Sequence, residues 1–280
     1  MSVEQFEGRT HRTSYDVETH ARLTADCDTI AARYPQARSA LLPMLHLVQS
    51  EDGYVSPRGI AFCAAHLSLT TAEVSAVATF YTQYKRHPNG TYTVGVCTNT
   101  LCAIMGGDAI WEDLSEHLGV GHDETTDDGA ITLERIECNA ACDYAPVVMV
   151  NWEFFDNQTP DSARQLADDL TAGKPVAPTR GAASVCSFKE MSRVLAGFDD
   201  GRADEGIGAG APTRRGIDLA RAQGWTAPEY PDATGGTPGG SSEPQVGGEQ
   251  SSAQRPATTP ADVSPAAEQL KQSTDDAKES

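Results

Sequence analysis

Apolar positions from Leu41 to Val48 recur at i, i+3, i+4 and i+7 (Leu41, Met44, Leu45, Val48), which is one face of a helix. Pro43 lies inside that stripe and predicts a kink or a boundary, and Gly53 ends the run. Ser56-Pro57 predicts a second helix, with Ser as N-cap and Pro at the first position. Its apolar stripe is Ile60, Cys63, Ala64 and Leu67. Thr70 and Glu73 have the spacing of a capping box ahead of a third stripe, Val74, Val77 and Tyr81. Phe80 and Tyr81 read as core residues. Residues 1–21 are polar and predict a flexible arm; residues 22–88 predict a bundle of three or four short helices.

The period then changes. His87-Pro88-Asn89-Gly90 is a turn signal, and Tyr92–Val96 is short and β-rich, closed by Cys97. Residues 103–118 return to helical spacing, with Ile110, Trp111, Leu114 and Leu118 on one face and Gly119 as the stop. Gly121–Gly129 reads as an acidic loop. Ile131–Glu137 alternates like a half-buried strand and runs into Cys138. Val147–Val150 and Glu153–Phe155 predict a hairpin. Its turn has Asn151 but no following Gly, so a type I′ turn would be strained. Thr159-Pro160 starts a further helix with Ala163, Leu166, Ala167 and Leu170 buried and Gly173 after it. The order β-α-β-β-α over residues 89–178 resembles that of a thioredoxin-like domain.

Residues 179–230 predict a partly helical extension, with Phe188, Met191, Val194 and Leu195 in one helix. Residues 216–226 form a short amphipathic piece carrying Ile217, Leu219 and Trp225, a candidate docking anchor. Beyond Tyr230 there is no aromatic residue, and the only large aliphatics are Val246, Val263 and Leu270. Such a segment cannot bury enough apolar surface to offset chain entropy, so residues 231–280 predict a disordered tail. The fold class expected is therefore α+β: an N-terminal helical bundle, a thioredoxin-like α/β domain, then a largely disordered C-terminal tail.

The formal net charge is −19. Residues 231–280 hold eight acids against three bases, so most of the negative charge belongs to the folded part. An acidic body repels phosphate backbones, which argues against nucleic-acid binding and suits a partner with a basic face. No apolar run has the length to span a bilayer, and the first twenty residues lack the apolar core of a signal peptide. A cytoplasmic protein without direct membrane insertion is expected. There, clustered cysteines read as metal ligands or redox groups before disulfides.

Four of the seven cysteines are paired. Cys97 and Cys102 are spaced C-x4-C, and Cys138 and Cys142 are spaced C-x3-C. Each pair follows a predicted strand, so two loops at the same sheet end can bring four thiolates together. Two pairs match the two irons of a [2Fe–2S] cluster. The small or polar neighbours Thr98, Asn99, Thr100, Asn139, Ala140 and Ala141 let backbone amides approach the sulfurs. The helix beginning near Cys102 would point its positive end at an anionic cluster. Structural zinc and a dithiol–disulfide centre remain open as other readings of the pattern. Cys63 reads as a core residue, and Cys27 and Cys186 lack a partner pattern. The histidines form no ligand spacing, and Gly106-Gly107 is no nucleotide fingerprint.

The segments ALLPMLHLVQSEDGYVS (40–56), AEVSAVATFY (72–81), VCTNTLC (96–102), ECNAACDYAPVVMVN (137–151) and DNQTP (156–160) resemble the thioredoxin-like [2Fe–2S] ferredoxin subunits of respiratory complex I. The resemblance implies that Cys97, Cys102, Cys138 and Cys142 hold one [2Fe–2S] cluster and that the chain has no catalytic residue of its own. It implies an electron-transfer subunit of proton-translocating NADH-quinone oxidoreductase, peripheral on the cytoplasmic side of the membrane. FMN and NADH would sit on a partner subunit beside the cluster, within the peripheral arm. The same module in a soluble NAD-linked hydrogenase or formate dehydrogenase is the alternative. The extension after about Lys174 exceeds what the family core needs.

Overall fold

The computed structural model describes residues 14–226. The tail 231–280 and most of the N-terminal arm lie outside the described residues. The helical region starts before residue 22: α1 spans Val17–Ala31, and the Asp16 carboxylate accepts from the Thr19 amide as its N-cap. A 3-10 turn, Ala37–Ala40, leads into α2, Leu41–Asp52. Pro43 therefore does not kink this helix. It sits in the first turn, where a backbone N–H has no intrahelical partner to lose. Gly53 closes α2 with φ of 78°.

Helix α3, Pro57–Leu67, is capped by the Ser56 hydroxyl, which accepts from the Gly59 amide. Helix α4, Thr71–Phe80, opens on the complete Thr70–Glu73 capping box. The expected stripes of α2 and α3 are buried. On α4, Val74 and Ala78 are buried instead of the whole predicted face. Phe80 and Tyr81 are not core residues: they are 79% and 43% exposed and pack edge-to-face on each other.

The second layer is a five-stranded mixed sheet in the order β2-β3-β1-β4-β5. Its strands are β1 Tyr92–Cys97, β2 Glu124–Thr125, β3 Ile131–Ile136, β4 Val148–Val150 and β5 Glu153–Phe155. Strands β1 and β3 are parallel; the other pairs are antiparallel. Edge strand β2 lies in the segment whose acidic composition predicts loop. The helical stretch expected from residue 103 is broken: one turn, α5 (Thr100–Cys102), and a π-type turn, Ala103–Gly107, precede the regular helix α6, Asp108–Leu118. The break is at Gly106, whose φ of 116° lies outside the helical region. Helices α6 and α7 (Pro160–Thr171) cover one sheet face. There Val94, Val96, Ile131, Leu133, Val148 and Val150 meet Ile110, Trp111, Leu114, Leu166 and Leu170.

The type I′ turn does form, with φ of 47° at Asn151 and 69° at Trp152. Its strain is offset locally. The Asn151 side chain accepts from the Thr93 amide (2.8 Å) and donates to the Cys186 carbonyl (2.7 Å). The Trp152 ring stacks on Phe188 with centroids 5.9 Å apart. The extension is thus built into the body. Helix α8, Phe188–Leu195, buries Phe188, Met191 and Ser192 and packs on α2, and Arg193 reaches Asp26 at 2.8 Å. Gln49, fully buried, ties α2 to the segment that leads into the sheet: it accepts from the Lys85 amide and donates to the Gln83 carbonyl. Helix α9, Ala211–Ala222, has no buried residue and exposes Ile217 and Leu219. Among the described residues, no single helix is long and apolar enough to cross a membrane.

Candidate iron–sulfur site

Alternation along β1 decides where the first thiol points. Val94 and Val96 face α6 and α7, so Cys97 faces the other side, where it joins Cys102, Ala141, Ala145, Val147 and Met149 in a small separate core. The Cys97 amide donates to the Val147 carbonyl at 3.1 Å, which fixes the strand end. Cys102 arrives on α5, one turn later. Gly107 makes that return possible: a Cβ there would lie 2.5 Å from the Cys97 carbonyl oxygen and 2.9 Å from that of Cys102. The second pair follows β3. Cys138 is on the loop and Cys142 opens a 3-10 turn, Cys142–Tyr144; their sulfurs are 3.5 Å apart.

All four predicted thiols line one cavity of about 10 Å³, with Asn139, Ala141 and Val147 completing the wall. That is about the space of one water. The donor set is four sulfurs in two pairs, without a His, Asp or Glu among the lining residues. This set fits a [2Fe–2S] cluster, which takes two thiolates per iron. Among the described residues, no three His, Cys, Asp or Glu side chains are gathered for a single metal ion.

The two pairs differ in environment. Cys97 and Cys102 are each 3% exposed, whereas Cys138 and Cys142 are exposed. Burial pushes the Cys97 thiol up to about 11, while a bond from the Asn99 amide pulls the other way. The Cys142 thiol is raised first by its hydrogen bond with Cys138. Asn99 also links the loops: its side-chain oxygen accepts from the Cys138 amide at 2.7 Å. In the sequence Asn99 reads only as a small polar neighbour; its position one residue before the α5 turn was the available signal. The positive end of the regular helix is not at Cys102, because the break at Gly106 sets the start of α6 at Asp108. Cys27 and Cys63 lie in the bundle core, and burial raises both thiols, Cys27 to about 12. Cys186 lies beside Arg202 and the Asn151 turn.

A mixed sheet with helices packed on one face, and four thiols gathered where the chain leaves β1 and β3, is the arrangement of a thioredoxin-like protein. The chain belongs to the thioredoxin-like [2Fe–2S] ferredoxin family, whose model matches residues 27–171. It is 64% identical to a NADH-quinone oxidoreductase subunit of Mycobacterium tuberculosis over 221 residues, 79% of this chain and 87% of the relative. It is 37% identical to NADH-quinone oxidoreductase subunit 2 of Thermus thermophilus over 146 residues, 51% of this chain and 81% of the relative. A NAD+-reducing [NiFe]-hydrogenase structure matches with a TM-score of 0.44 and 21% identity, covering 48% of this chain and 23% of that one. The 221 residues matched in the mycobacterial relative exceed everything up to Thr171, so that match continues into the extension.

Proposed function

We propose that Cys97, Cys102, Cys138 and Cys142 are the ligands of one [2Fe–2S] cluster and that the chain is an electron-transfer subunit of an NADH-quinone oxidoreductase. The observation that carries this is the convergence of two loop-borne thiol pairs on one cavity. When bound, such a cluster exchanges single electrons. The chain's own residues hold and shield it. Cys97 and Cys102 anchor one side inside the protein, and Asn99 clamps the loop that carries Cys138. No side chain in this reading acts as acid, base or nucleophile.

NADH and FMN belong to a partner subunit in this reading, and quinone and proton chemistry to other subunits of a membrane complex whose peripheral arm lies on the cytoplasmic side. Two features support a partner at the cluster. The Cys138–Cys142 side is open, and the apolar residues that flank Cys102 in the chain are bare: Leu101, Ile104 and Met105 are 44%, 77% and 56% exposed. Exposed apolar clusters of this kind mark association sites.

Anaerobic purification of the tagged chain from its host tests the reading. A flavin-containing subunit and NADH oxidation are expected to accompany it, and both to be absent from the isolated chain. NADH oxidation by the isolated, flavin-free chain would overturn the proposal.

A further inference from the structure

The cysteine loop is gripped from outside the family core. Asp143 and Tyr144 directly follow Cys142, and both are met by the C-terminal extension. The Thr213 hydroxyl donates to the Asp143 carboxylate at 2.5 Å. Gly210 passes so close to Tyr144 that a Cβ would lie 2.0 Å from the phenol oxygen. The segment leading there is itself tied down. The Ala183 amide donates to the Glu205 carboxylate at 2.9 Å. Gly206 lies against the Gly181 backbone, where a Cβ would be 2.0 Å from the carbonyl oxygen. Arg180 donates to the Gly208 carbonyl at 3.0 Å.

Arg180 is the hub. Its guanidinium lies over Phe154 at 3.9 Å and Tyr144 at 5.0 Å, and it pairs with the buried carboxylate of Asp156 at 3.0 Å. A guanidinium held between two rings and a buried carboxylate is a fixed point. Tyr144 therefore sits between a rigid post and the passing backbone of Gly210.

We propose that residues 205–213, anchored on Arg180, are a strap that holds the Asp143–Tyr144 end of the cysteine loop and sets how tightly the chain retains its cluster. Thr213, Gly210 and Arg180 are positioning residues, acting on Cys142 through Asp143 and Tyr144. The strap lies beyond residue 171, where the family model ends. The consequence for the cluster rests on the ligand assignment proposed above; the hold on the loop does not.

The test uses the full chain. Arg180 is unsuitable for substitution, because its loss strands the buried Asp156 carboxylate. Gly206→Val instead levers the strap off Gly181, and Thr213→Val removes one hydroxyl from an exposed site. Two readouts are taken. One is the rate at which a chelator bleaches the anaerobically loaded chain, with the electron-paramagnetic signature of the reduced form alongside. The other is hydrogen exchange at the Tyr144 and Ala145 amides in cluster-free chain, which bond within the loop. Losing one such hydrogen bond predicts about two- to tenfold faster bleaching and exchange for Thr213→Val. A larger effect is expected for Gly206→Val, near wild-type rates for Thr213→Ser, and an unchanged melting temperature for Thr213→Val. Wild-type rates of both bleaching and exchange in Thr213→Val and Gly206→Val would overturn the strap. A wild-type chain that takes up no cluster would refute the ligand assignment, and the exchange rates would still decide the strap.

Discussion

Gly107→Ala sets two effects of opposite sign against each other at the site. Gly107 has helical dihedrals, φ of −59° and ψ of −37°. By propensity alone, Ala would gain roughly 0.5–1 kcal/mol there. The added Cβ would, however, meet the Cys97 carbonyl oxygen at 2.5 Å and the Cys102 carbonyl oxygen at 2.9 Å. These are backbone atoms of two thiol-bearing residues and have no rotamer to escape into. Overpacking of this kind costs about 1–3 kcal/mol, so a net loss of roughly 1–2 kcal/mol is expected. Gly106→Ala is the control. Its φ of 116° makes Ala strained at a similar cost, but nothing lies within 4 Å of the new methyl. Urea unfolding of the cluster-free chain should find both variants destabilised. Chelator bleaching should be faster in Gly107→Ala than in Gly106→Ala, because only the former displaces Cys97 and Cys102. A Gly107→Ala chain as stable as wild type would refute the reasoning.

Three further outcomes are expected. Gln49→Leu leaves the buried Lys85 amide without a partner, at about 1–3 kcal/mol, so the urea midpoint should fall. Burial lowers the His46 imidazole from 6.5 to about 4, so the unfolded chain binds its proton first as pH drops. Its contribution is complete above pH 6.5 and is lost between 6.5 and 4 at about 1.4 kcal/mol per unit; His46→Gln should flatten the stability–pH curve over that window. Asn99→Ala frees the Cys138 amide from the first loop and should speed chelator bleaching about two- to tenfold with little change in melting.

What the sequence made legible was local. The caps at Ser56, Thr70 and Thr159, the stops at Gly53 and Gly119, and the stripes of α2, α3, α6 and α7 follow from short-range chemistry, and all appear in the structure. The cysteine spacing marked the two pairs for the same reason; that all four thiols line one cavity follows from the parallel pairing of β1 with β3. Long-range packing was not legible. Phe80 and Tyr81 looked like core because aromatic side chains carry a large apolar surface, yet in the described chain they stay 79% and 43% exposed. Pro43 signals a kink or a boundary, and the structure has the boundary, at Leu41, with no capping side chain to place it more closely. Where α8 returns onto α2, Gln49 donates to Ser192, two polar residues 143 positions apart that no periodicity connects. The links from Asn99 to Cys138 and from Thr213 to Asp143 span 39 and 70 positions and are equally silent in the sequence.

The most direct test of the cluster assignment is an iron and acid-labile sulfide count on the anaerobically purified full chain, repeated after single substitutions of each cysteine. About two irons and two sulfides per chain are predicted, with a visible spectrum bleached by dithionite. Cys97→Ser, Cys102→Ser, Cys138→Ser and Cys142→Ser should each deplete the cluster or change its spectrum, while Cys27→Ala, Cys63→Ala and Cys186→Ala should keep both. A colourless wild-type chain holding about one zinc, or a normal cluster in Cys138→Ser or Cys142→Ser, would contradict the assignment.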